Sequence, residues 1–417
     1  MGKTISEKIL QRASDEPEVE PGDIVEAKVN VAMSHDNAAL VSKHFRTIGV
    51  AKVWDPEKIV ILLDHRVPAN TAQTATGHKA IREFVKEQNL PNFYDMNAGI
   101  CHQILPEKGH VRPGELIVGT DSHTTTHGAF GAFSTGIGAT EMSTVWATGS
   151  LWLKVPDTIR IEVTGELQRG VYSKDVVLNV IGTLGAEYAD YKAVEFYGDT
   201  IAQMSVASRM VISNQAMEMG AKVAIISPDE KTIEFVRGVT NVPFTPVLAD
   251  EDARYSDRRD FDVTSLEPQI ACPHSPANVK EISEVAGLTV DQAFLGSCTN
   301  GRMEDLRIAA DIMKGKKIAS GTRMIVIPAS WEIYSEAMKE GILRDFLDSG
   351  ATICNPGCGP CLGAHQGILA DGERAISSSN RNFKGRMGST ESEVYLSSPA
   401  VVAASALKGE ITDPRSI

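Results

Sequence analysis

Short apolar runs that stop at a polar cluster recur along this chain. Lys58 to Leu63 carries Ile-Val-Ile-Leu-Leu and ends in Asp64-His65. Gly114 to Gly119 carries Leu-Ile-Val and ends in Thr120-Asp121-Ser122-His123. Asp291 to Leu295 runs into Gly296-Ser297-Cys298. Apolar runs of this length, bounded by turn residues, read as strands buried on both faces. Helical periodicity fills the intervals. Ile5, Ile9 and Leu10 share one face, and Thr76 to Gln88, Ile201 to Gly220 and Ser398 to Leu407 read as helices. Ile24 to Met33 alternates as a single strand, with Thr158 to Val163, Lys222 to Ile226 and Met324 to Ile327 as further strands. Strand, polar loop and helix in repetition predict an α/β fold with mainly parallel sheets. In such sheets ligands bind beyond the carboxyl ends of the strands, and that is where the Asp, His and Cys residues fall.

Two breaks divide the pattern. Lys154-Val155-Pro156 precedes a new strand, and the charge-rich stretch Asp250 to Asp262, followed by Pro268, Pro273 and Pro276, reads as a linker. The expected segments are therefore 1–156, 157–265 and 266–417. A chain of 417 residues has room for two or three domains. Gly128, Gly131, Gly136 and Gly138 form a glycine-rich stretch, but Glu141 stands where a dinucleotide-binding loop needs its last glycine. These glycines are expected to permit close helix packing.

Charge and composition narrow the partners. A net charge of −13 opposes broad binding to nucleic acid or to an acidic membrane surface. No apolar run reaches the ~18 residues of a membrane helix, and the N-terminus has no apolar signal core. Six cysteines without an export signal imply a reducing, cytoplasmic setting, with thiols or metal ligands rather than disulfides.

Three of those cysteines lie in Cys354-Asn-Pro-Gly-Cys358-Gly-Pro-Cys361, and a fourth is Cys298. Cys-x-x-Cys alone fits a dithiol redox site, a zinc site completed by Cys354 or His365, or an iron–sulfur cluster. Three soft thiolates suit a cluster with one iron left open. Asp64-His65, His102 and Asp121-x-His123 offer imidazoles with carboxylate partners, which suits general acid chemistry. Adjacent strand residues face opposite ways, so Asp64 is not expected to pair with His65 itself if the strand extends that far; at a strand end the geometry is free, and a cross-pair such as Asp121 with a neighbouring His is open. Arg381 and Arg386 could bind carboxylates in bidentate fashion. His123 and His127 have the spacing of a zinc helix, but the glutamate of a zinc hydrolase motif is absent.

Taken together, Asp64-His65, Gly99-Ile-Cys-His102-Gln103, Gly119-Thr-Asp121-Ser-His123-Thr-Thr-Thr-His127-Gly128, Val194-Glu195-Phe-Tyr-Gly198, Gly296-Ser-Cys298-Thr-Asn300, Cys358-Gly-Pro-Cys361 and Asn380-Arg381-Asn-Phe-Lys-Gly-Arg386 resemble the aconitase superfamily. The resemblance implies three α/β/α domains around a central cluster cleft. It implies Cys298, Cys358 and Cys361 as ligands of one [4Fe-4S] cluster, with Cys354 a bystander. It implies His65, His102 and His123 as active-site histidines, Asp64 and Asp121 as their partners, and Glu195 as the acid near the open iron. Asn380, Arg381 and Arg386 match the segment against the substrate carboxylate. The implied reaction is dehydration and rehydration of a 2-hydroxy acid: isopropylmalate on the route to leucine, or alternatively homocitrate. The chain ends at Ile417, soon after the third matching segment, so the resemblance also implies a separate small subunit of the swivelling-domain type that supplies the catalytic base.

Overall fold

The computed structural model describes residues 2–417. Its strands form four sheets. The first large sheet is parallel and five-stranded, in the order Asn92–Tyr94, Ile59–Leu62, Val31–Ser34, Leu116–Gly119, Phe133–Gly136. The second is parallel and four-stranded: Val223–Ile226, Ala193–Tyr197, Thr158–Thr164, Asp257–Asp262. The third has seven strands: Val279–Glu281, Gln269–Ala271, Glu393–Leu396, Arg374–Ser377, Gln292–Leu295, Arg323–Val326, Thr352–Ile353. It is parallel except where Gln269–Ala271 meets its two neighbours. A two-stranded antiparallel ribbon, Ile24–Lys28 with Ser150–Lys154, completes the set.

The inner strands Val31–Ser34, Ile59–Leu62, Leu116–Gly119 and Gln292–Leu295 are buried at every position. Helices cover both faces, which is why these strands are written as unbroken apolar runs. Among the described residues, no helix is long and apolar enough to cross a membrane.

Three expectations are corrected. Ile24 to Met33 is not one strand. Ile24–Lys28 alternates exposed and buried and joins the ribbon, whereas Val31–Ser34 is wholly buried and joins the parallel sheet. The break is fixed at Asn30, whose N–H donates to Leu116 O at 2.9 Å and whose Oδ1 accepts Leu116 N–H at 2.8 Å. The charge-rich linker contains a strand: Asp257–Asp262 pairs along its full length with Thr158–Thr164. It is an edge strand, and charge on an edge deters pairing with another chain. Arg258 and Arg259 lie over the rings of Tyr255 and Tyr188 at 5.0 and 5.5 Å. The helix expected over 201–220 is broken at Met204-Ser205, and Ser205 caps Val206–Gln215 by accepting Ser208 N–H at 3.0 Å.

The glycine-rich stretch does allow close packing, but against a strand. Ser122–Phe130 is a 3₁₀ helix, and a Cβ on Gly128 would lie 1.9 Å from Ala224 O. That approach brings Asp121 and His123 against the second sheet.

The cysteine loop is laced to the first sheet. Cys358 N–H donates to Asp64 O at 3.0 Å, Asn355 Nδ2 to Val67 O at 2.8 Å and Asn70 Nδ2 to Ala364 O at 2.7 Å. His365 Nε2 meets Pro68 O at 2.8 Å.

Candidate active site

Strand Ile59–Leu62 ends before Asp64. The Asp36 carboxylate then gathers the next turn, accepting the N–H groups of Asp64 (3.0 Å), His65 (2.8 Å) and Arg66 (3.2 Å). His78 Nε2 holds that carboxylate at 2.8 Å. The strand stops at Leu62, short of where alternation would part them, and Asp64 Oδ1 reaches His65 Nδ1 at 2.6 Å, so the two pair. Asp64 Oδ2 accepts Cys101 N–H at 2.8 Å. Asp121 Oδ2 stands 3.4 Å from His65 Nε2, and His35 stacks on the ring with centroids 3.9 Å apart. Burial alone would lower the His65 imidazole, but the charges of Cys358, Asp64 and Asp121 outweigh it and hold its pKa well above the ordinary value. His65 thus sits with a carboxylate on each side.

Asp121 is the hub. Its Oδ1 accepts His102 Nε2–H at 2.8 Å and His123 N–H at 2.7 Å. Burial would raise its pKa, but His102, His123 and His65 hold it well below the usual carboxylate range. His123 Nε2 meets Glu218 Oε1 at 2.9 Å, and Arg381 Nε donates to both Glu218 oxygens at 2.8 and 3.0 Å. His127, the second half of the zinc-helix spacing, is fully buried beside His102 with ring centroids 5.5 Å apart, and burial pushes its pKa well down.

Glu195 is not brought to this group, which corrects the expectation. It is fully buried in the second sheet, with Oε1 accepting Ile5 N–H at 2.8 Å and Oε2 accepting the hydroxyls of Tyr197 (2.6 Å) and Tyr255 (3.1 Å). Its acid holds the start of helix Ile5–Ser14. Glu218 is the acid that reaches the histidines and Arg381.

The cysteines converge. Cys298 Sγ and Cys361 Sγ each lie 3.8 Å from Ser297 Oγ, and 3.6 and 3.7 Å from Asn380 Oδ1. Cys358 joins Cys361 through one tight turn, Cys361 N–H donating to Cys358 O at 3.1 Å. Asn214 Nδ2 and Asn380 Nδ2 donate to Cys298 Sγ at 3.2 and 3.4 Å. Arg386 Nε donates to Cys361 O at 3.1 Å. All six cysteines are free.

Burial pushes the Cys298 thiol up to about 11 and the Cys358 thiol further. Such thiols ionise only when a cation takes the charge. Two thiols on shared partners, a third one tight turn away and two amide N–H groups aimed at one sulfur form a donor set that fits an iron–sulfur cluster. Cys354 does not share these contacts. It is half-buried against the apolar cluster around Phe294 and Ile327, and its N–H extends the edge strand to Val326 O.

Several residues of the site escaped the sequence. Arg302 is fully buried and holds the Cys298 loop, with terminal nitrogens on Thr299 O (2.6 Å) and Cys298 O (2.7 Å) and Nε on Gln103 Oε1 (3.1 Å). Lys174 Nζ donates to Ser379 O at 2.7 Å, and burial lowers its pKa to about 8. The one available signal was Ser213-Asn214-Gln215, a polar run on an otherwise apolar helix; nothing local marked Lys174, Glu218 or His35.

Known proteins resemble this chain over nearly its whole length. The model of the aconitase family (aconitate hydratase) matches residues 7–288 and 278–409. The 3-isopropylmalate dehydratase large subunit 1 of Methanopyrus kandleri is 56% identical over 416 residues, covering 100% of this chain and 99% of that protein. A probable methanogen homoaconitase large subunit of Methanothermobacter thermautotrophicus is 52% identical, covering 99% and 97%. The holo-form of Thermococcus kodakaraensis aconitase X covers 86% of this chain at 11% identity and a TM-score of 0.48. With family matches that span the cysteine loops, the histidine turns and the arginine segment alike, the chain belongs to the aconitase family.

Proposed function

We propose that the chain is the large, cluster-holding subunit of a hydro-lyase that interconverts 2-isopropylmalate and 3-isopropylmalate by dehydration and rehydration, in leucine biosynthesis in the cytoplasm. The observation that carries the chemistry is the meeting of Cys298 and Cys361 on Asn380, with Cys358 one tight turn from Cys361. The substrate rests on the 56% identity to a protein of that name. A homoaconitase large subunit at 52% favours homocitrate as the second reading.

Cys298, Cys358 and Cys361 would hold one [4Fe-4S] cluster. When bound, it supplies a Lewis-acidic iron that polarises the substrate C–O bond. The chain's own groups do the rest. Arg381 is oriented by Glu218 through Nε, and Arg386 by Cys361 O, which places two guanidinium groups to bind substrate carboxylates. His65, charged between Asp64 and Asp121, gives its proton to the departing hydroxyl oxygen, and Asp121 holds the ring in register. The proton on the neighbouring carbon goes to a base that we assign to a small subunit of the swivelling-domain type, since the relatives are named large subunits. In rehydration water gives a proton to His65 as its hydroxide adds at the neighbouring carbon, and the base returns its proton to the carbon that lost the hydroxyl.

Metal analysis tests the cluster: anaerobic reconstitution should load about four irons and four sulfides per chain. Cys298→Ser should abolish the brown chromophore and Cys354→Ser should leave it. One zinc per chain, or loss of colour with Cys354→Ser, contradicts the ligand set. A panel of isopropylmalate, homocitrate and citrate, run with the small subunit, decides the substrate.

A further inference from the structure

Lys174 is a buried charge with no evident reason in the fold. It is the second residue of helix Ser173–Leu184, at the end where the helix dipole disfavours a cation. The side chain is fully buried, and burying an ammonium costs heavily unless it is paired. Yet among the described residues no carboxylate lies within ion-pairing distance of Nζ. Its hydrogen bonds go to two carbonyl oxygens, Ser379 O at 2.7 Å and Ser378 O at 3.4 Å.

Those carbonyls belong to the turn that carries Asn380. Ser378 Oγ clasps the backbone of Gly296 (N–H at 3.0 Å, O at 3.2 Å), two residues before Cys298. Ser297 Oγ donates to Asn380 Oδ1 at 2.6 Å. Asn380 touches both Cys298 and Cys361. The ionisable groups around Lys174 are Cys298, Cys361, Glu218 and Asp305, with Asp175 beside it in the same turn. Each carboxylate is already engaged: Glu218 with His123 and Arg381, Asp305 with Asn300 and Arg302 N–H, Asp175 with the N–H groups of Tyr172 and Gln269. The Cys298 and Cys361 sulfurs themselves meet only neutral partners, the side chains of Asn214, Ser297 and Asn380, so negative charge gathered there has no cationic side chain in hydrogen-bond contact.

We propose that Lys174 is the positioning counter-charge of the cysteine site: it offsets the negative charge gathered at Cys298 and Cys361 and pins the Ser378–Asn380 turn against them. This rests on the reading that these cysteines hold the cluster. Removing the charge weakens retention of the cluster and, because reduction adds negative charge, drives its midpoint potential more negative.

The test uses the full chain, loaded anaerobically, as wild type, Lys174→Met and Lys174→Gln. Met and Gln are each one atom shorter than lysine; Met loses charge and donor, and Gln loses the charge and keeps an amide donor. Iron and sulfide content, the rate of chromophore loss under a chelator, the midpoint potential by spin resonance, and thermal unfolding of the apo-protein are read for each. Both variants should lose the cluster about 10–100-fold faster, the range typical of groups that support metal ligands. Both should show a more negative potential while the apo-forms unfold cooperatively. A Gln variant with wild-type retention and potential overturns the charge role, since the donor alone would then suffice. Should the Met variant fail to fold, Gln carries the decision. Wild type that takes up no iron and sulfide overturns the cluster reading itself. Wild type that holds the cluster beside variants that hold it equally overturns only the role of Lys174.

Discussion

Glu195 and Glu218 are both buried acids in the middle of the chain, and their neighbours give them opposite tasks. Glu195 joins helix Ile5–Ser14 to the second sheet through Ile5 N–H and two tyrosine hydroxyls. Glu195→Ala orphans the buried Ile5 N–H and leaves the half-buried Tyr197 and Tyr255 hydroxyls only each other, so it should cost about 1–3 kcal/mol in denaturant unfolding. Turnover per folded molecule should stay within about twofold. Glu218 instead fixes His123 and orients Arg381. Glu218→Gln should lower kcat/KM about a hundredfold with little loss of stability, a size typical of a lost charge at a site of proton transfer. A kinetic defect in the Glu195 variant, with Glu218→Gln unaffected, would reverse the assignment. The motif containing Glu195 was legible in the sequence, but its role was not. Whether an acid faces a histidine or a helix start depends on which sheet face the strand presents, and Ala193–Tyr197 is buried through Phe196 on both faces. Asp64 and His65 were legible as chemistry for a better reason: an apolar run that stops at a carboxylate and an imidazole has nowhere else to put them. Their pairing was hidden because it depends on Asp36, 28 residues upstream.

At the scale of elements, the parallel strands were readable because burial on both faces forces continuous apolar sequence. The errors came where that rule lapses, at a ribbon with one wet face and at a charged edge strand. The connection after helix Cys101–Glu107 shows another feature invisible in sequence. His110 N–H donates to Leu105 O at 2.9 Å and its Nε2 meets the Tyr94 hydroxyl at 2.7 Å, an arrangement for the neutral ring with Tyr94 as donor. Burial, and then Arg112, lower the His110 pKa to about 4. A folded pKa below the unfolded value near 6.5 means that this stabilisation is present above about pH 6.5 and is lost as pH falls toward 4. His35 and His127 shift in the same direction for the same reason, burial. Denaturant midpoints of the apo-protein should therefore drop between pH 6.5 and 4, and His110→Asn should reduce that slope without abolishing it. A variant with an unchanged slope contradicts the neutral, buried ring. Arg302 offers a second test on the same scale. Arg302→Lys loses the fork that spans Thr299 O and Cys298 O, so the Cys298 loop should loosen, seen as faster backbone exchange at 297–300 and faster cluster loss.

For the whole molecule, the decisive question is where the base comes from, and the answer follows from how fully the acids are occupied. Asp64 gives one oxygen to His65 and the other to Cys101 N–H. Asp121 serves three histidines and lies well below the usual carboxylate range. Glu218 is likewise lowered, since His123 and Arg381 outweigh the effect of its burial. A carboxylate stabilised in its charged form is a poor acceptor for a proton on carbon. Arg381 and Arg386 cannot accept one at all. The site therefore holds an acid and a carboxylate clamp, but none of these acids is poised as the base. The loaded chain alone should bind substrate yet turn it over at less than about a thousandth of the rate reached with a small subunit, since general base catalysis and correct placement together are worth that much. Isotope exchange separates this from simple misfolding. In deuterated water the isolated loaded chain should put no deuterium on the carbon next to the hydroxyl, while an equimolar small subunit should start both exchange and isomerisation. Exchange by the isolated chain would place the base on this subunit, and His123 or Glu218 would then have to release a partner to serve.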